Sequence, residues 1–183
     1  KKIAFDPALP SEYRTDIGKI GFNSVTKIAF KFDKAFWDVE TQYFGIMTET
    51  KGRWCYWLSY RTFTDENILL GLSVGAYAPV ADRMSDAAMA KDALEVLRGV
   101  WGDAVGQPVQ TLTTHWSTDP YALGAYSYPR PGATPGDYET LTKPVEDRLF
   151  LCGVHTSFEY KATTHGAYIS GLRAAEQVID EAG

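Results

Sequence analysis

The sequence predicts a chain of mixed class, with an α+β region followed by an α/β unit. In the first region, short aromatic and aliphatic segments alternate with polar or glycine-bearing turns, a pattern typical of strands. Helical periodicity occurs twice, once after those segments and once near the C-terminal end of the chain. These observations describe a sheet with one long helix and then a strand–loop–helix unit, with the two regions meeting near Trp116.

Five strands are expected in the first region. Segment 27–32 alternates in part between apolar residues and lysine, and segments 43–48, 54–60 and 68–74 are rich in aromatic and aliphatic residues. Segment 110–116 is expected to return to the sheet after the long helix. Short connections between consecutive strands favour antiparallel pairing.

The first helix is expected over 85–100. Ser85 is a suitable N-cap, apolar residues then recur at three- and four-residue spacing, and Gly102 ends the pattern. A second helix is expected over 166–180. Its apolar residues on one face are Ile169, Leu172 and Ile179.

The C-terminal unit begins after a loop over 129–136 that is rich in proline and glycine. A short buried strand is expected over 148–152, ending at Gly153. The helix that follows opens with Gly166, and unpaired N–H groups at a helix start carry partial positive charge. The unit is therefore suited to an anionic ligand.

Composition excludes several classes of protein. The chain has 183 residues, of which 45% are hydrophobic and 14% aromatic, which excludes a disordered chain. A net charge of −5 without a basic cluster gives no electrostatic footprint for nucleic acid. No stretch approaches the roughly 18 apolar residues of a membrane span, and no signal peptide is expected. A soluble protein is predicted, with the compartment left open and the cytoplasm as one candidate.

Cysteine and histidine usage does not indicate a metal site. Cys55 and Cys152 each stand in an apolar segment and are expected to be buried thiols rather than a disulfide. The chain has three histidines and no Cys-x-x-Cys spacing, so no structural zinc site is expected.

Three separated stretches carry a specific pattern. The last reads Leu-Phe-Leu-Cys-Gly-Val-His-Thr-Ser from position 149 and Tyr-Lys-Ala-Thr-Thr-His-Gly-Ala-Tyr from position 160. The middle one reads Trp-Ser-Thr-Asp-Pro-Tyr-Ala-Leu-Gly-Ala-Tyr-Ser-Tyr from position 116. The first comprises Phe-Asp-Pro-Ala-Leu-Pro from position 5, Ile-Gly-Phe from 20 and Val-Thr-Lys from 25. In this order they closely resemble the flavin-containing amine oxidases, which include monoamine oxidases, polyamine oxidases and lysine-specific histone demethylases.

The resemblance implies the C-terminal portion of the flavin amine oxidase fold. Residues 1–115 would form a mixed-sheet substrate-binding region, and residues 116–183 the last strand–helix unit of the FAD-binding domain. The Gly-x-Gly-x-x-Gly fingerprint that binds the ADP half of FAD in this family does not occur in the sequence. The N-terminal dinucleotide-binding unit is therefore expected on a separate chain of a processed or split enzyme, and the present chain alone is expected not to retain FAD.

Two residues are implied to act at the reacting centre. Lys27 matches the lysine that holds a water against flavin N5 in this family. Tyr126 matches a tyrosine that walls the substrate amine in front of the flavin. The second tyrosine of the monoamine oxidase cage corresponds to Thr163, which leaves more room for a bulky or secondary amine. The alternatives are a solvent-exposed strand lysine and a tyrosine of the core.

Other matches concern the cavity wall and the flavin ring. Trp116 matches a tryptophan packed along the ring, with a core tryptophan as the alternative. Ala125 stands where monoamine oxidases have the cysteine that bonds to the flavin, so the FAD is expected to be non-covalent. Tyr56 and Trp57 are candidates for the substrate cavity wall, and a core role is an equal alternative for both.

The remaining cofactor contacts are expected around the last motif, at Gly153, Val154, Thr163, Thr164 and Gly166. Backbone N–H groups of Thr163 and Thr164 would face the pyrimidine oxygen of the flavin. Many relatives have glutamate at the position of Val154, so that contact is lost or made by the backbone alone. A separate expectation is that His165 caps the last helix.

The activity implied by the resemblance is oxidation of an amine. A hydride passes from the carbon beside the nitrogen to flavin N5, the imine hydrolyses, and O₂ is reduced to H₂O₂. An L-amino-acid oxidase is the first alternative, and a non-catalytic binding module, favoured only by Val154, is the second. Enzymes like phytoene desaturase or protoporphyrinogen oxidase rank lower. The expected partners are a small amine, O₂ and the missing N-terminal half, and self-association is left open.

Overall fold

The computed structural model describes residues 3–183, and they divide into two compact units. The first unit combines the residues up to 23 with 126–183, and the second comprises 24–125. These units are defined by packing, so the functional division expected near residue 116 stays a prediction.

The elements, numbered along the chain, are as follows. The strands are β1 (Ile20–Asn23), β2 (Thr26–Lys31), β3 (Tyr43–Gly45), β4 (Tyr56–Ser59), β5 (Ile68–Ser73), β6 (Gln110–Thr113) and β7 (Tyr126–Pro129). The helices are α1 (Ser11–Lys19), α2 (Ala78–Ala81), α3 (Asp86–Trp101), α4 (Pro135–Thr140) and α5 (Thr164–Ala182), with 3₁₀ turns at Tyr60–Thr62, Gly102–Ala104 and Val154–Thr156.

The second unit is built on a five-stranded sheet in the order β3-β4-β5-β2-β6. Every neighbouring pair is antiparallel, which confirms the predicted pairing. Opposite β2, Leu72 of β5 faces Lys27 and Gly71 faces Ile28. Because side chains alternate along a strand, Ile28 points to one face of the sheet and Lys27 to the other.

One face of this sheet carries the hydrophobic core. Ile28, Phe30 and Trp57 are fully buried there, and Trp57 stacks on Phe30 with 6.2 Å between ring centroids. Helix α3 adds a row of buried residues, namely Met89, Ala93, Leu94, Val96 and Leu97. Burial of each large side chain contributes about 1.5–3 kcal/mol, so this packing holds the sheet and α3 together.

The caps of α3 agree with the sequence prediction. The Ser85 hydroxyl accepts a hydrogen bond from Ala88 N at 3.3 Å. Gly102 has φ 56° at the end of the helix, a conformation that glycine adopts without steric cost.

The first unit joins the two ends of the chain. β1 and β7 form an antiparallel pair in which Asn23 lies opposite Tyr126. The Tyr13 hydroxyl donates to Lys143 O at 2.6 Å and ties α1 to the segment after α4. The Lys19 ammonium, hydrogen-bonded to Asp137, holds the pKa of that carboxyl well below its usual range.

The Arg173 guanidinium of α5 makes several bonds within the first unit. It donates to Thr142 O and Leu151 O, both at 2.8 Å, and to Thr156 Oγ1 at 3.2 Å. This side chain therefore links α5 to the chain on both sides of Gly153.

Some predictions for the first unit are wrong. No strand forms over 148–152. Leu149 makes only an isolated β-bridge with Val145, and Leu151 O accepts a hydrogen bond from the Arg173 side chain. The last helix begins at Thr164 rather than Gly166. The expected loop over 129–136 contains the end of β7 and the start of α4, while α1, β1 and β7 were not predicted.

The apolar face of α5 is not the face that packs within the unit. The residues on the buried side are Gly166, Ser170 and Ala174. Leu172 is 51% exposed and Ile179 is 69% exposed, and Tyr168 on the same side is 70% exposed. Large apolar side chains therefore cover the outward side of this helix, a surface we call the α5 stripe.

The thiol prediction is correct only in part. Both cysteines are free, and Cys55 is half-buried. Cys152 is exposed, so the expectation of a buried thiol is wrong there, and the buried strand over 148–152 on which it rested does not form.

Two further observations bear on the class of protein. Over the described range 3–183, no helix combines the length and the apolar character that crossing a bilayer requires. His, Cys, Asp and Glu residues in that same range form no group of three or more that could hold a metal ion.

Packing at Gly71 gives a stability prediction. A Cβ at this position would lie 2.7 Å from the six-membered ring of Trp57, which is fully buried. We expect Gly71→Ala to reduce the free energy of unfolding by about 1–3 kcal/mol, the usual cost of overpacking a core. Urea-induced unfolding monitored by circular dichroism measures the difference.

Gly45→Ala is the matched control, because it lies in the same sheet and a Cβ there would have no atom within 4 Å. We expect a change within about 0.5 kcal/mol. Equal losses in the two variants would contradict the close contact between Gly71 and Trp57.

Candidate functional site

Lys27 and Tyr56 lie on the same face of the five-stranded sheet. Lys27 is opposite Leu72, and Leu72 is opposite Tyr56 on the next strand. Directly opposed residues of antiparallel strands point to the same side, and neighbouring strands are roughly 4.8 Å apart, which places the two Cα atoms about 10 Å from each other. Both side chains reach solvent within this unit.

The next row of the same face is apolar. It contains Tyr43, Leu58, Leu70, Ala29 and Leu112, one from each strand. Leu112 is 71% exposed, and the rings of Tyr43 and Tyr56 are 5.5 Å apart. Together the two rows form what we call the Lys27 face, a sheet surface with exposed tyrosine and leucine side chains and a lysine in one row.

Trp57 points the other way. It is fully buried in the core, and its ring N–H donates to Trp54 O at 2.8 Å. Of the two residues predicted for a cavity wall, only Tyr56 therefore presents a surface within this unit. The wall role of Tyr56 stays a prediction, and the core alternative describes Trp57.

Trp116 follows two residues after Thr114, which is hydrogen-bonded to Lys27. Lys27 N donates to Thr114 Oγ1 at 2.9 Å, and Thr114 N donates to Lys27 O at 3.0 Å. The Trp116 side chain is 48% exposed, so it is not a core tryptophan of this unit. The structure thus brings together the segments that carry Lys27 and Trp116.

The residues on both sides of Trp116 bond to Asp82, which follows α2. His115 Nδ1 lies 2.8 Å from Asp82 O, and Ser117 N donates to Asp82 Oδ2 at 2.6 Å. The other ring nitrogen of His115 lies 2.7 Å from the Asp86 carboxylate. Sequence reasoning missed this arrangement, since nothing in the sequence connects positions so far apart.

Tyr126 and Thr163 belong to the first unit, whereas Lys27, Tyr56 and Trp116 belong to the second. Tyr126 opens β7 and is 43% exposed, which argues against a core role within this unit. The expected pairing of Tyr126 with Lys27 around a flavin stays a prediction.

A cleft of about 230 Å³ lies within the first unit, between β1, β7 and the turn Val154–Thr156. Val154 and His155 line one side, and Gly21 and Ser127 line the other. Ser127 is 4% exposed, and its hydroxyl has no hydrogen-bond partner among the described residues. Burial, and then the charge of Arg173, lower the pKa of His155, so this side of the cleft favours the neutral imidazole.

The start of α5 is organised by Thr163. Its hydroxyl accepts from Gly166 N at 3.0 Å and donates to Tyr160 O at 2.6 Å. The cap is therefore Thr163 and not His165, whose ring instead packs against Tyr160 with centroids 5.0 Å apart. A threonine three residues before the bonded N–H is the usual N-cap arrangement, and that rule should have identified it from the sequence.

Gly153 and Gly166 are both required by close contacts. A Cβ at Gly166 would lie 2.2 Å from Tyr160 O, and one at Gly153 would lie 2.7 Å from the His155 ring. Gly153 also has φ 131°, which disfavours residues with a side chain. Its N–H donates to Ser170 Oγ at 2.8 Å, so α5 and the turn Val154–Thr156 are held together.

His115 gives a pH-dependent contribution to stability. The hydrogen bond to the Asp82 carbonyl and then the Asp86 carboxylate raise the pKa of His115. A raised folded-state pKa means that the contribution is complete below the ordinary pKa of about 6.5 and is lost as pH rises through the raised value. We expect His115→Gln to lower the free energy of unfolding more at about pH 5.5 than at about pH 8.5.

Urea unfolding of both proteins at both pH values tests this. The lowered pKa of His155 has the opposite effect on stability, but it is common to both proteins and cancels in the difference. A difference that is the same at both pH values would contradict a protonated His115 at the lower one.

The sequence is similar to known proteins over nearly its whole length. A family model described as "Flavin containing amine oxidoreductase" matches residues 1–179. Lysine-specific histone demethylase 1 homolog 2 of Oryza sativa subsp. japonica is 34% identical over 98% of this chain and 24% of its own length. Lysine-specific histone demethylase 1 homolog 1 of Arabidopsis thaliana is 35% identical over 97% of this chain and 22% of its own length. The chain therefore spans about a quarter or less of these relatives.

Among solved structures, the cyclohexylamine oxidase from Brevibacterium oxydans IH-35A superposes with a TM-score of 0.75. The similarity covers 98% of this chain and 40% of that one, at 21% sequence identity, and it shows a shared fold. Since the family model covers nearly the whole sequence and both histone demethylase relatives are more than 30% identical, the chain belongs to the flavin-containing amine oxidoreductases.

Proposed function

We propose that the chain takes part in FAD-dependent oxidation of an amine, in the manner of monoamine and polyamine oxidases. The observation that carries this proposal is the Lys27 face, where a lysine lies in one row with Tyr56 on a sheet surface rich in leucine and tyrosine. An apolar surface suits the carbon skeleton of an amine, and the ammonium group of Lys27 suits a water or O₂ held near a redox centre. Family membership supports the same class of reaction.

A bound flavin would supply the redox chemistry, in which a hydride leaves the carbon beside the amine nitrogen, O₂ is reduced to H₂O₂ and water hydrolyses the resulting imine. The residues of the chain would act around this chemistry. Lys27 would hold a water or O₂ through its ammonium group. Tyr126 would wall the amine and exclude other water, and Thr163, smaller than tyrosine, would leave space for a substituted amine.

The start of α5 fits a non-covalent flavin. Thr163 satisfies Gly166 N through its hydroxyl and Ala167 N through its carbonyl. The first-turn N–H groups of Thr164 and His165 have no acceptor within residues 3–183, and such groups attract a carbonyl or anionic oxygen. Val154 offers no polar side-chain atom, so any cofactor contact at that position would use the backbone.

The α5 stripe supports a further polypeptide as partner. Its large apolar residues are 51% to 70% exposed and lie together on one side of the helix, and a contiguous exposed apolar patch marks an interaction site. Matched relatives have about four times the length of this chain, since it covers 24% of one of them. We propose that the stripe packs against the rest of the flavin-binding domain, and that the chain alone does not retain FAD.

Two neighbouring substitutions test the stripe. Ile179→Lys places a charge in the apolar stripe, whereas Asp180→Lys adds a positive charge at the next position, which is polar and exposed. In the FAD-loaded full-length protein, we expect Ile179→Lys to lower the FAD content after gel filtration by about tenfold, the loss of roughly 1.4 kcal/mol. Asp180→Lys is expected to retain FAD, and an equal loss in both variants would contradict the packing role of Ile179.

Anaerobic mixing of the full-length, FAD-loaded protein with a panel of amines tests the activity. We expect a neutral alkylamine to bleach the flavin absorbance, and O₂ to restore it. Lys27→Met should slow reoxidation by roughly 10- to 100-fold, as for loss of one electrostatic contact at a reacting centre, and leave reduction by the amine nearly unchanged.

Lys31→Met is the control for this experiment. Lys31 lies on the same strand and face, but it is paired with Glu66 at 2.6 Å and lies two rows from Lys27. We expect normal reoxidation in this variant. Reduction by an amino acid but not by its decarboxylated amine would favour an L-amino-acid oxidase, and no bleaching by any amine would favour a non-catalytic binding module.

A further inference from the structure

Asp82 is a buried carboxyl group outside the residues so far placed at the reacting centre. It follows α2 and is 1% exposed. Within residues 3–183, no ion pair includes it. A buried carboxyl group is costly unless hydrogen bonds compensate for the lost water, so its partners show what the position is for.

The two carboxyl oxygens of Asp82 face the two segments that carry Lys27 and Trp116. Oδ2 accepts from Ser117 N at 2.6 Å and also from the Ser117 hydroxyl. Oδ1 lies 3.2 Å from the hydroxyl of Thr26, the residue before Lys27. That hydroxyl also faces Ala78 O at 2.9 Å and has a single proton, so the stronger attachment of Asp82 is to Ser117.

The segment around Trp116 is a turn rather than a strand. β6 ends at Thr113, and the N–H groups of Thr118 and Asp119 both donate to His115 O. Residues 115–119 therefore form a compact turn that needs an external attachment to keep a fixed orientation.

Asp82 supplies that attachment on both sides of Trp116. Its backbone carbonyl lies 2.8 Å from His115 Nδ1, and its carboxyl group bonds Ser117. The Trp116 ring is 48% exposed, so burial within this unit does not fix it. The direction of the ring thus depends on the bonds of its two sequence neighbours.

We infer that Asp82 is a positioning residue that sets the orientation of Trp116 through Ser117 and His115. Its functional meaning rests on the proposed function, in which Trp116 packs along a flavin. A residue that only stabilised the end of α2 would not need to hold both neighbours of one exposed tryptophan. Asp82 also lies close to the Thr26 hydroxyl. One residue therefore contacts both the segment that carries Lys27 and the segment that carries Trp116.

Hydrogen exchange in the FAD-loaded full-length protein tests the inference without depending on turnover. In Asp82→Ala, we expect the Ser117 amide to exchange roughly 10- to 100-fold faster, as for loss of a hydrogen bond to a carboxyl group. Protection of β2 and β5 should stay within about threefold of the wild type. Faster exchange throughout the second unit, with no local excess at 115–119, would reduce Asp82 to a general stabilising role and overturn the inference.

Asp82→Asn is the rescue variant. Its amide oxygen can accept from Ser117 N, and its NH₂ can donate to the Thr26 hydroxyl, which then donates to Ala78 O. We expect exchange at Ser117 to stay within about threefold of the wild type. If Asn leaves this amide as unprotected as Ala does, the bond assigned to Oδ2 is wrong.

Asp38→Ala is the matched control. Asp38 also accepts from a backbone N–H, that of Glu40, and from a hydroxyl, that of Thr41, but it is exposed and none of its bonds reaches the turn 115–119. Exchange at 115–119 should not change in this variant. If Asp82→Ala does not fold, Asp82→Val takes its place, since valine has a similar volume and no acceptor for Ser117 N, and unchanged exchange at Ser117 in that variant overturns the inference.

The same proteins are then mixed with the amine that reduces the wild-type flavin. We expect Asp82→Ala to slow flavin reduction by about tenfold or more and Asp82→Asn to restore it to within about threefold, in parallel with exchange at Ser117. Local loss of protection with unchanged reduction would refute the functional part of the inference. A wild type that no amine reduces, with the local exchange result intact, would refute the proposed function and leave the role of Asp82 in the turn standing.

Discussion

Alternation along the strands of the five-stranded sheet is the constraint on which the candidate site depends. Packing in the hydrophobic core against α3 holds the side chains of Ile28 and Phe30 on β2, and of Trp57 on β4, on the inner face of the sheet. Because the side-chain period is two, the neighbours Lys27 and Tyr56 must then point outward, and a slip of one residue would bury the lysine. The position of Lys27 is therefore fixed by the hydrophobic core behind it.

Local patterns predicted the second unit well. Strands β2 to β6 and helix α3 were found because alternation, helical spacing, an N-cap serine and a terminal glycine are all read within a few residues. The first unit was predicted less well. β1 pairs with β7 across roughly a hundred residues, and a pair of such short strands gives little periodic signal. The prediction of a strand over 148–152 was wrong because apolar residues in this segment indicate burial, but they do not show that another strand is available to pair with it.

The candidate site divides in the same way. Lys27, Tyr126 and Trp116 could be named from motifs, because residue type and spacing carry that signal. Their supports could not be named. Asp82 is 35 residues from Ser117 and 56 from Thr26, and a common residue such as aspartate in a loop indicates nothing until the fold brings these positions together. Arg173 lies in the helix predicted over 166–180, but its bonds to Thr142 and Leu151 depend on chain segments that were predicted wrongly or not at all.

The small residues on the packed side of α5 have a consequence for how this helix can evolve. Gly166, Ser170 and Ala174 allow close approach of the backbone to its own unit, while Leu172 and Ile179 crowd the opposite side. An ordinary amphipathic surface helix accepts most changes over half its circumference. With a partner on the stripe, α5 would be confined on two opposite sides, one intolerant of added volume and one intolerant of charge, so drift in its sequence would be restricted to the few polar positions between them.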